Sequence, residues 1–277
     1  AIIKSFIFLI KDRPSLVIGM GGYSSFPICF SAVFLKIPII IYENNICFGK
    51  ANKFLVPFAN KIFVNYNEYE GIKDNYKYKI KVIGNILRKK ILDFHHSKND
   101  NYEKFNILIL GGSQAAKSFA EKLPNIFIEL NKKKIKIKIF QQCQPEQNEE
   151  LRKVYENNKI EYSIFNYTHD MASVYKQSNL AISRAGSSAL AELLNCRIPI
   201  IAIPLSHSAD DHQYKNAIYY EKKGFGIVIK EDKIENDLFH LLQKLYNNKS
   251  SLNLIKSNQS KYSDTDVFKK INSELKE

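Results

Sequence analysis

One junction occurs three times in this chain: a short apolar run that ends in glycine or other small residues and continues into a helical pattern. Leu16-Val17-Ile18 runs into Gly19-Met20-Gly21-Gly22-Tyr23-Ser24-Ser25, and Asn106-Ile107-Leu108-Ile109-Leu110 runs into Gly111-Gly112-Ser113-Gln114-Ala115-Ala116-Lys117. Leu180-Ala181-Ile182 runs into Ser183-Arg184-Ala185-Gly186-Ser187-Ser188-Ala189-Leu190-Ala191-Glu192. Apolar runs this short read as buried strands, and strand, turn and helix in repetition build parallel sheets from β-α-β units. The turns also offer chemistry, because the first N–H groups of a helix lack intrahelical partners and attract anions. In the third junction Gly186 is expected to supply backbone freedom, with Ser187 and Ser188 as helix caps. Glu192 stands about one and a half turns further on, where its carboxylate can accept hydrogen bonds from a ribose diol while phosphates sit at the helix start. None of the three is the dinucleotide fingerprint G-x-G-x-x-G, and a single match would be weak. Their repetition at comparable strand ends carries the inference.

The rest of the chain keeps the same alternation. Strands are expected at 16–18, 39–41, 61–64 and 81–83, with helices over 25–35 and 50–58 between them, and then at 106–110, 135–140, 161–165, 180–182, 200–203 and 226–229. Gly84 to Arg88 and the polar stretch 93–103 break the pattern and read as a linker. The expected divisions are 1–92, 104–262 and a terminal helix over 263–277 that packs back toward the first domain. A chain of 277 residues with 45% hydrophobic content can bury two modest cores, which excludes a disordered chain. Against 28 acidic residues stand 41 Lys and Arg, a net charge of +13. That balance suits an anionic partner such as a nucleotide or an acidic lipid surface, although runs such as Lys132-Lys133-Lys134 read as solvated faces. Cys29, Cys47, Cys143 and Cys196 are widely spaced, with no C-x-x-C pair, which argues against a zinc site or a disulfide framework and for a reducing cytoplasm. No apolar run reaches the roughly 20 residues that span a bilayer. Residues 2–10, interrupted by Lys4, read as an amphipathic helix.

Taken in order, Gly19-Met20-Gly21-Gly22-Tyr23, Tyr42-Glu43-Asn44-Asn45, Gly84-Asn85-Ile86-Leu87-Arg88, Gly111-Gly112-Ser113-Gln114, the block from Ser183 to Glu192, and Asp210-Asp211-His212-Gln213-Tyr214-Lys215-Asn216-Ala217 resemble glycosyltransferase family 28. The resemblance covers nearly the whole chain. It implies the α/β GT-B fold, two Rossmann-like domains whose parallel sheets face a cleft, the first taking the acceptor and the second the UDP-sugar. It also implies an inverting transfer of N-acetylglucosamine from UDP-N-acetylglucosamine to undecaprenyl-linked lipid I, forming lipid II at the cytoplasmic face of the inner membrane. The enzyme would hold peripherally to an anionic membrane surface and use no cofactor, metal or nucleic acid. Family members open with a strand and a glycine loop ending in His. The first domain is therefore expected to be N-terminally truncated here, with the family's base candidate in the missing loop.

Residue by residue, the resemblance assigns Arg88 and Ser113 to the pyrophosphate, Thr168 to the uracil through its main chain, and Ser187, Ser188, Ala189 and Leu190 to phosphate and ribose. Glu192 would take the ribose hydroxyls and Gln213 the sugar hydroxyls. Asn45 would sit at the cleft, with Tyr23, Glu43 and Asn52 on the acceptor-side wall. Ala115 and Lys117 replace the family's usual Gly and Arg, and Tyr42 replaces a common His. His207, His212, Asp210 and Asp211 read as helix-start residues rather than metal ligands. Asp264-Thr265-Asp266 reads as a helix cap rather than a metal-binding D-x-D motif. His95, His96, His169 and His240 read as surface residues. Two further readings are a nucleotide-sugar-binding chain without activity of its own, and another UDP-sugar enzyme of this fold, an epimerase or a lipid glycosyltransferase. Sequence upstream of Ala1 discriminates the first, and the product formed from UDP-N-acetylglucosamine and lipid I discriminates the second.

Overall fold

A computed structural model of the chain describes residues 1–94 and 104–276, and only the backbone of residues 113–116 and 209. His95, His96 and most of the expected linker lie outside the described residues. The chain divides into two compact units, one of Ala1–Ile86 with Asp266–Glu277 and one of Leu87–Thr265.

The first unit runs α1 (Ile2–Asp12), β1 (Val17–Gly19), α2 (Gly22–Phe34), β2 (Ile39–Glu43), α3 (Lys50–Leu55), β3 (Lys61–Val64) and β4 (Ile80–Val82). Its four strands are parallel in the order β1-β2-β3-β4, with Ile18 opposite Ile40 and Ile41 opposite Ile62. All five residues of β2 are buried, as an apolar strand covered on both faces should be. Cys29, Ala32, Ile39, Ile41, Phe48, Leu55, Ile62 and Val64 form the core. A Cβ at Gly19 would stand 2.5 Å from the Cys29 sulfur, so only glycine lets α2 pack this closely on β1. Helix α2 begins three residues before the expected 25, because Gly21 and Gly22 take left-handed backbone (φ 81° and 74°) and complete the turn immediately. Ser25 then lies inside the helix, its hydroxyl donating back to the Gly21 carbonyl at 2.8 Å.

The second unit runs α4 (Lys89–Leu92), β5 (Phe105–Leu110), α5 (Gly112–Lys132), β6 (Ile137–Gln142), α6 (Asn148–Asn157), β7 (Glu161–Phe165), α7 (Met171–Gln177), β8 (Leu180–Ser183), α8 (Ser187–Asn195), β9 (Ile200–Ala202), α9 (His212–Lys222), β10 (Gly226–Val228), α10 (Ile234–Asn247) and α11 (Lys249–Gln259). Its six parallel strands are ordered β10-β9-β8-β5-β6-β7. The chain builds outward from β5 in one direction and then returns to its other side with β8, so the β5–β8 pair is the topological switch point. The core beneath it joins Ile107, Ile109, Phe119, Leu123, Phe127, Ile139, Leu180, Ile182 and Ile201 to Leu238 and Leu242 of α10.

The last helix, α12 (Val267–Lys276), belongs to the first unit. Lys61 of β3 donates to the Glu274 carbonyl at 2.5 Å, and Lys61 and Lys81 pair with its carboxylate at 3.2 and 3.4 Å. The division between units falls at Ile86 and Leu87 rather than after 92, and again at Asp266 rather than 263. Tertiary packing sets both places. Leu87 and Ile91 are buried and α4 lies against α8, while the Tyr42 hydroxyl reaches the Gly84 carbonyl (3.5 Å) and the Ile86 N–H (3.2 Å) inside the first unit. Of the Asp264-Thr265-Asp266 triplet, Asp266 directly precedes α12, and its carbonyl accepts the Lys270 N–H at 3.0 Å, while Asp264 lies further back. It is buried, accepting from Asn195 at the end of α8 (2.6 Å) and from the Tyr262 hydroxyl (2.8 Å).

Candidate functional site

The second unit holds a cleft of about 450 Å³ at the carboxyl ends of β5, β6 and β8, over the switch point. The starts of four helices line it: Gly111 and Gly112 at the start of α5, Met171 of α7, Gly186 before α8 with Ser188 and Ala189 in it, and Gln213 of α9. Ser183 and Arg184 form its floor, where the Arg184 N–H donates to the Leu110 carbonyl at 3.1 Å and locks the ends of β5 and β8 together. Gly111 and Gly186 are the N-caps of α5 and α8, and neither helix start has a side-chain cap. Their first N–H groups are therefore the orphan donors of a helix terminus, next to the positive end of its dipole. Ser187 and Ser188 are the first two residues of α8 rather than its caps. Gly186 has φ −67° and ψ 133°, an ordinary extended conformation, so it makes no use of glycine's freedom. A Cβ there would meet nothing within 4 Å, and what its absence leaves is space in the cleft.

Glu192 stands on α8 at the cleft wall, its carboxylate accepting three hydrogen bonds from two side chains. Arg88 gives Nη2 to Oε1 at 2.8 Å and to Oε2 at 3.0 Å, and the Tyr175 hydroxyl donates to Oε2 at 2.7 Å. The two partners differ. Tyr175 is 2% exposed, whereas the Arg88 side chain is 54% exposed. Burial, then the charge and hydrogen bond of Glu192, push the Tyr175 phenol far above its usual value, so it remains a donor throughout the physiological range. Burial and Glu192 likewise raise the Cys196 thiol, one turn along α8.

Behind the floor, Arg184 is buried against the Phe119 ring (4.5 Å) and pairs with Glu231 just before α10. Glu231 also accepts from Ser118 (3.1 Å) and from the Ser206 hydroxyl (3.0 Å). Burial alone would raise this carboxyl, but the hydrogen bond and charge of Arg184, helped by Ser206, hold it at about 2. Gln213 accepts the Leu205 N–H at 3.0 Å with its side-chain oxygen, which leaves its NH2 group as a donor end at the cleft.

Comparison with known proteins follows the same division. The N-terminal domain model of glycosyltransferase family 28 matches residues 1–64, and the C-terminal domain model of that family matches residues 106–272. The chain belongs to glycosyltransferase family 28. A relative from Pelagibacter ubique (strain HTCC1062), named UDP-N-acetylglucosamine--N-acetylmuramyl-(pentapeptide) pyrophosphoryl-undecaprenol N-acetylglucosamine transferase, is 36% identical over 98% of this chain and 76% of its own length. Among solved structures, Acinetobacter baumannii MurG superposes with a TM-score of 0.79 at 23% identity, covering 98% of this chain and 77% of that one. A UDP complex of Staphylococcus aureus MnaA superposes at 0.70 and 14% identity, over 99% and 79%. At these identities the two structures establish the shared two-domain parallel-sheet architecture.

Of the family 28 positions read from the sequence, Ser188, Ala189, Glu192 and Gln213 line the cleft, and Arg88 reaches it through Glu192. Ser113 is the second residue of α5, with only its backbone described. Thr168, Ser187 and Leu190 lie outside the lining. Leu190 is fully buried, and the Thr168 hydroxyl accepts the Asp170 N–H (3.1 Å) ahead of α7. In the first unit, Tyr23 is 80% exposed on the opening turn of α2, but Glu43 and Asn52 are buried beneath the loop rather than on its wall. Glu43 accepts from the Asn45 backbone (3.1 Å) and side chain (3.0 Å), the Gly49 N–H (3.0 Å) and Asn52 (2.9 Å). Four donors on one carboxylate fix the 44–49 loop, and with it the Asn45 amide. Sequence reasoning missed Gln142, Met171, Tyr175, Arg184 and Leu205 as site residues. Only Arg184 carried a signal, a charge at the end of a buried strand within the Ser183 to Glu192 block.

Proposed function

We propose that this chain transfers N-acetylglucosamine from UDP-N-acetylglucosamine to the muramyl-pentapeptide pyrophosphoryl-undecaprenol acceptor, forming the lipid-linked disaccharide and UDP by inversion. The observation that carries the reading is the convergence of the uncapped starts of α5 and α8 on a cleft whose wall presents Glu192, in a chain 36% identical to a transferase of that name. In this reading the N–H groups of Ser188, Ala189 and the Ser113 turn receive the diphosphate, each helix start contributing about 0.3–1 kcal/mol and up to ~2 where water is partly excluded. Arg88, exposed and long, supplies positive charge to the departing diphosphate. Glu192 takes the ribose hydroxyls, the main chain at Thr168 takes the uracil, and the Gln213 amide donates to the sugar. Asn45, held by Glu43, and Tyr23 would meet the acceptor. Stabilising the leaving group is what these donors do best, because they are in place before charge develops and need no reorganisation.

The same reading includes peripheral attachment to an anionic membrane surface on the cytoplasmic side. No helix among the described residues is long and apolar enough to cross a membrane. The first unit does expose Ile3, Ile7 and Phe8 of α1, Phe34 of α2 and Phe54 of α3, with Lys4, Lys11 and Lys53 exposed on α1 and α3. Phe26, Phe30, Phe34 and Phe54 form a ladder of ring contacts 4.9–5.8 Å apart, and Phe48 is fully buried in the core.

Incubation with labelled UDP-N-acetylglucosamine and the undecaprenyl-linked acceptor tests the central claim. The expected product is a labelled lipid-linked disaccharide, with UDP released in equal amount. Free N-acetylglucosamine or a sugar epimer as the sole product rejects it.

A further inference from the structure

Tyr175 has no role in the reading above, yet it is the most constrained partner of the residue that reading depends on. It is 2% exposed on α7, and its hydroxyl is 2.7 Å from Glu192 Oε2 of α8. A carboxylate offers about four acceptor positions, and three are already taken, two by Arg88 and one by Tyr175. A diol needs two. Arg88 can leave, because its side chain is largely in solvent and a diphosphate competes for it. Tyr175 cannot turn away without repacking a buried ring. One side of the carboxylate is therefore anchored while the other can be exchanged for ligand.

We infer that Tyr175 is a positioning residue for nucleotide selection: by pinning one oxygen of Glu192 it presents the carboxylate to a ribose 2′,3′-diol, so that the cleft discriminates ribonucleotides from nucleotides lacking those hydroxyls. The inference rests on the proposed nucleotide reading of Glu192 and adds to it a second-layer determinant of specificity. A hydrogen bond to a charged acceptor in a site built for it is what makes the loss of a ligand hydroxyl costly.

Calorimetric titration of the full chain with UDP and with 2′,3′-dideoxy-UDP separates the possibilities, using Tyr175→Phe and Glu192→Ala beside the parent protein. Tyr175→Phe should weaken UDP about ten-fold and leave the dideoxy analogue unchanged, with KM for the sugar nucleotide raised and kcat retained. An equal loss for both ligands marks a merely structural role and overturns the inference, as does no loss for either. Where Glu192→Ala abolishes the preference for UDP and Tyr175→Phe does not, the inference alone fails. Where Glu192→Ala leaves the preference intact, the nucleotide reading fails with it. If Tyr175→Phe does not fold, Tyr175→Met, which also removes the hydroxyl but fills the space flexibly, is read by the same two ligands.

Discussion

Gly186 shows how a residue's role can be misjudged from its type. Glycine before a helix suggests a left-handed turn, yet here the backbone is extended and any residue could adopt it. What glycine provides is an absence of atoms at the cleft, since a Cβ would touch no protein atom. Gly186→Ala should therefore fold with an unchanged melting temperature while its Kd for UDP rises. Crowding a close-packed site costs about 1–3 kcal/mol, about ten-fold or more in Kd, and equal UDP heats for the two proteins would show that no ligand approaches there. Glu192 could be singled out because an acid at a fixed distance from a helix start suggests hydroxyl recognition, whereas Gln213 came only from the family resemblance. Tyr175 was not, because nothing in Met-Ala-Ser-Val-Tyr-Lys-Gln separates a tyrosine that anchors a carboxylate from one that merely fills space. Glu43 and Asn52 were placed on the acceptor side by the family resemblance alone. Only the fold shows that their polar atoms are spent on holding a loop.

Among elements, the segment between β10 and α10 is tied to the floor of the cleft by the Arg184–Glu231 pair, with Ser118 of α5 and Ser206 after β9 on the same carboxylate. Three separate segments thus meet on the acid of a fourth. Its folded value is about 2 against an ordinary 4.5, so the carboxyl is depressed in the folded state. Its contribution is fully present above about pH 4.5 and is lost as pH falls toward 2, a span worth roughly 3 kcal/mol by linkage. Chemical denaturation of the parent protein should show that loss between pH 4.5 and 2, and Glu231→Gln should flatten it. At pH 7 the same substitution should destabilise by about 3 kcal/mol, because it leaves Arg184 buried beside a neutral partner. A parallel pair of pH curves would remove the pair from this role. The strands themselves were readable to within about two residues, since short apolar runs between helical patterns have few other solutions. The boundary between units was not, because α4 packs against α8, about a hundred positions along the chain, with Leu87 and Ile91 buried.

For the whole molecule, the net charge of +13 and the exposed apolar residues of α1, α2 and α3 belong to one argument. Apolar side chains alone would bind any bilayer, and each Lys near an anionic surface adds about 1 kcal/mol. Sedimentation with anionic vesicles should pellet the chain at low salt, less at high salt, and much less when Phe34 and Phe54 are replaced by Glu. Equal binding to neutral vesicles, or none to anionic ones, would contradict that arrangement.

The two units also differ in how the chain supplies them. Residues 87–265 form a continuous unit, whereas the other takes 1–86 and then waits for 266–277. On the ribosome, the continuous unit is fully made before the helix carrying Glu274 emerges to meet Lys61 and Lys81. Translation order therefore makes the earliest-synthesised sheet the last to be finished, and a nascent chain halted near residue 265 would carry one completed lobe and one with an open flank.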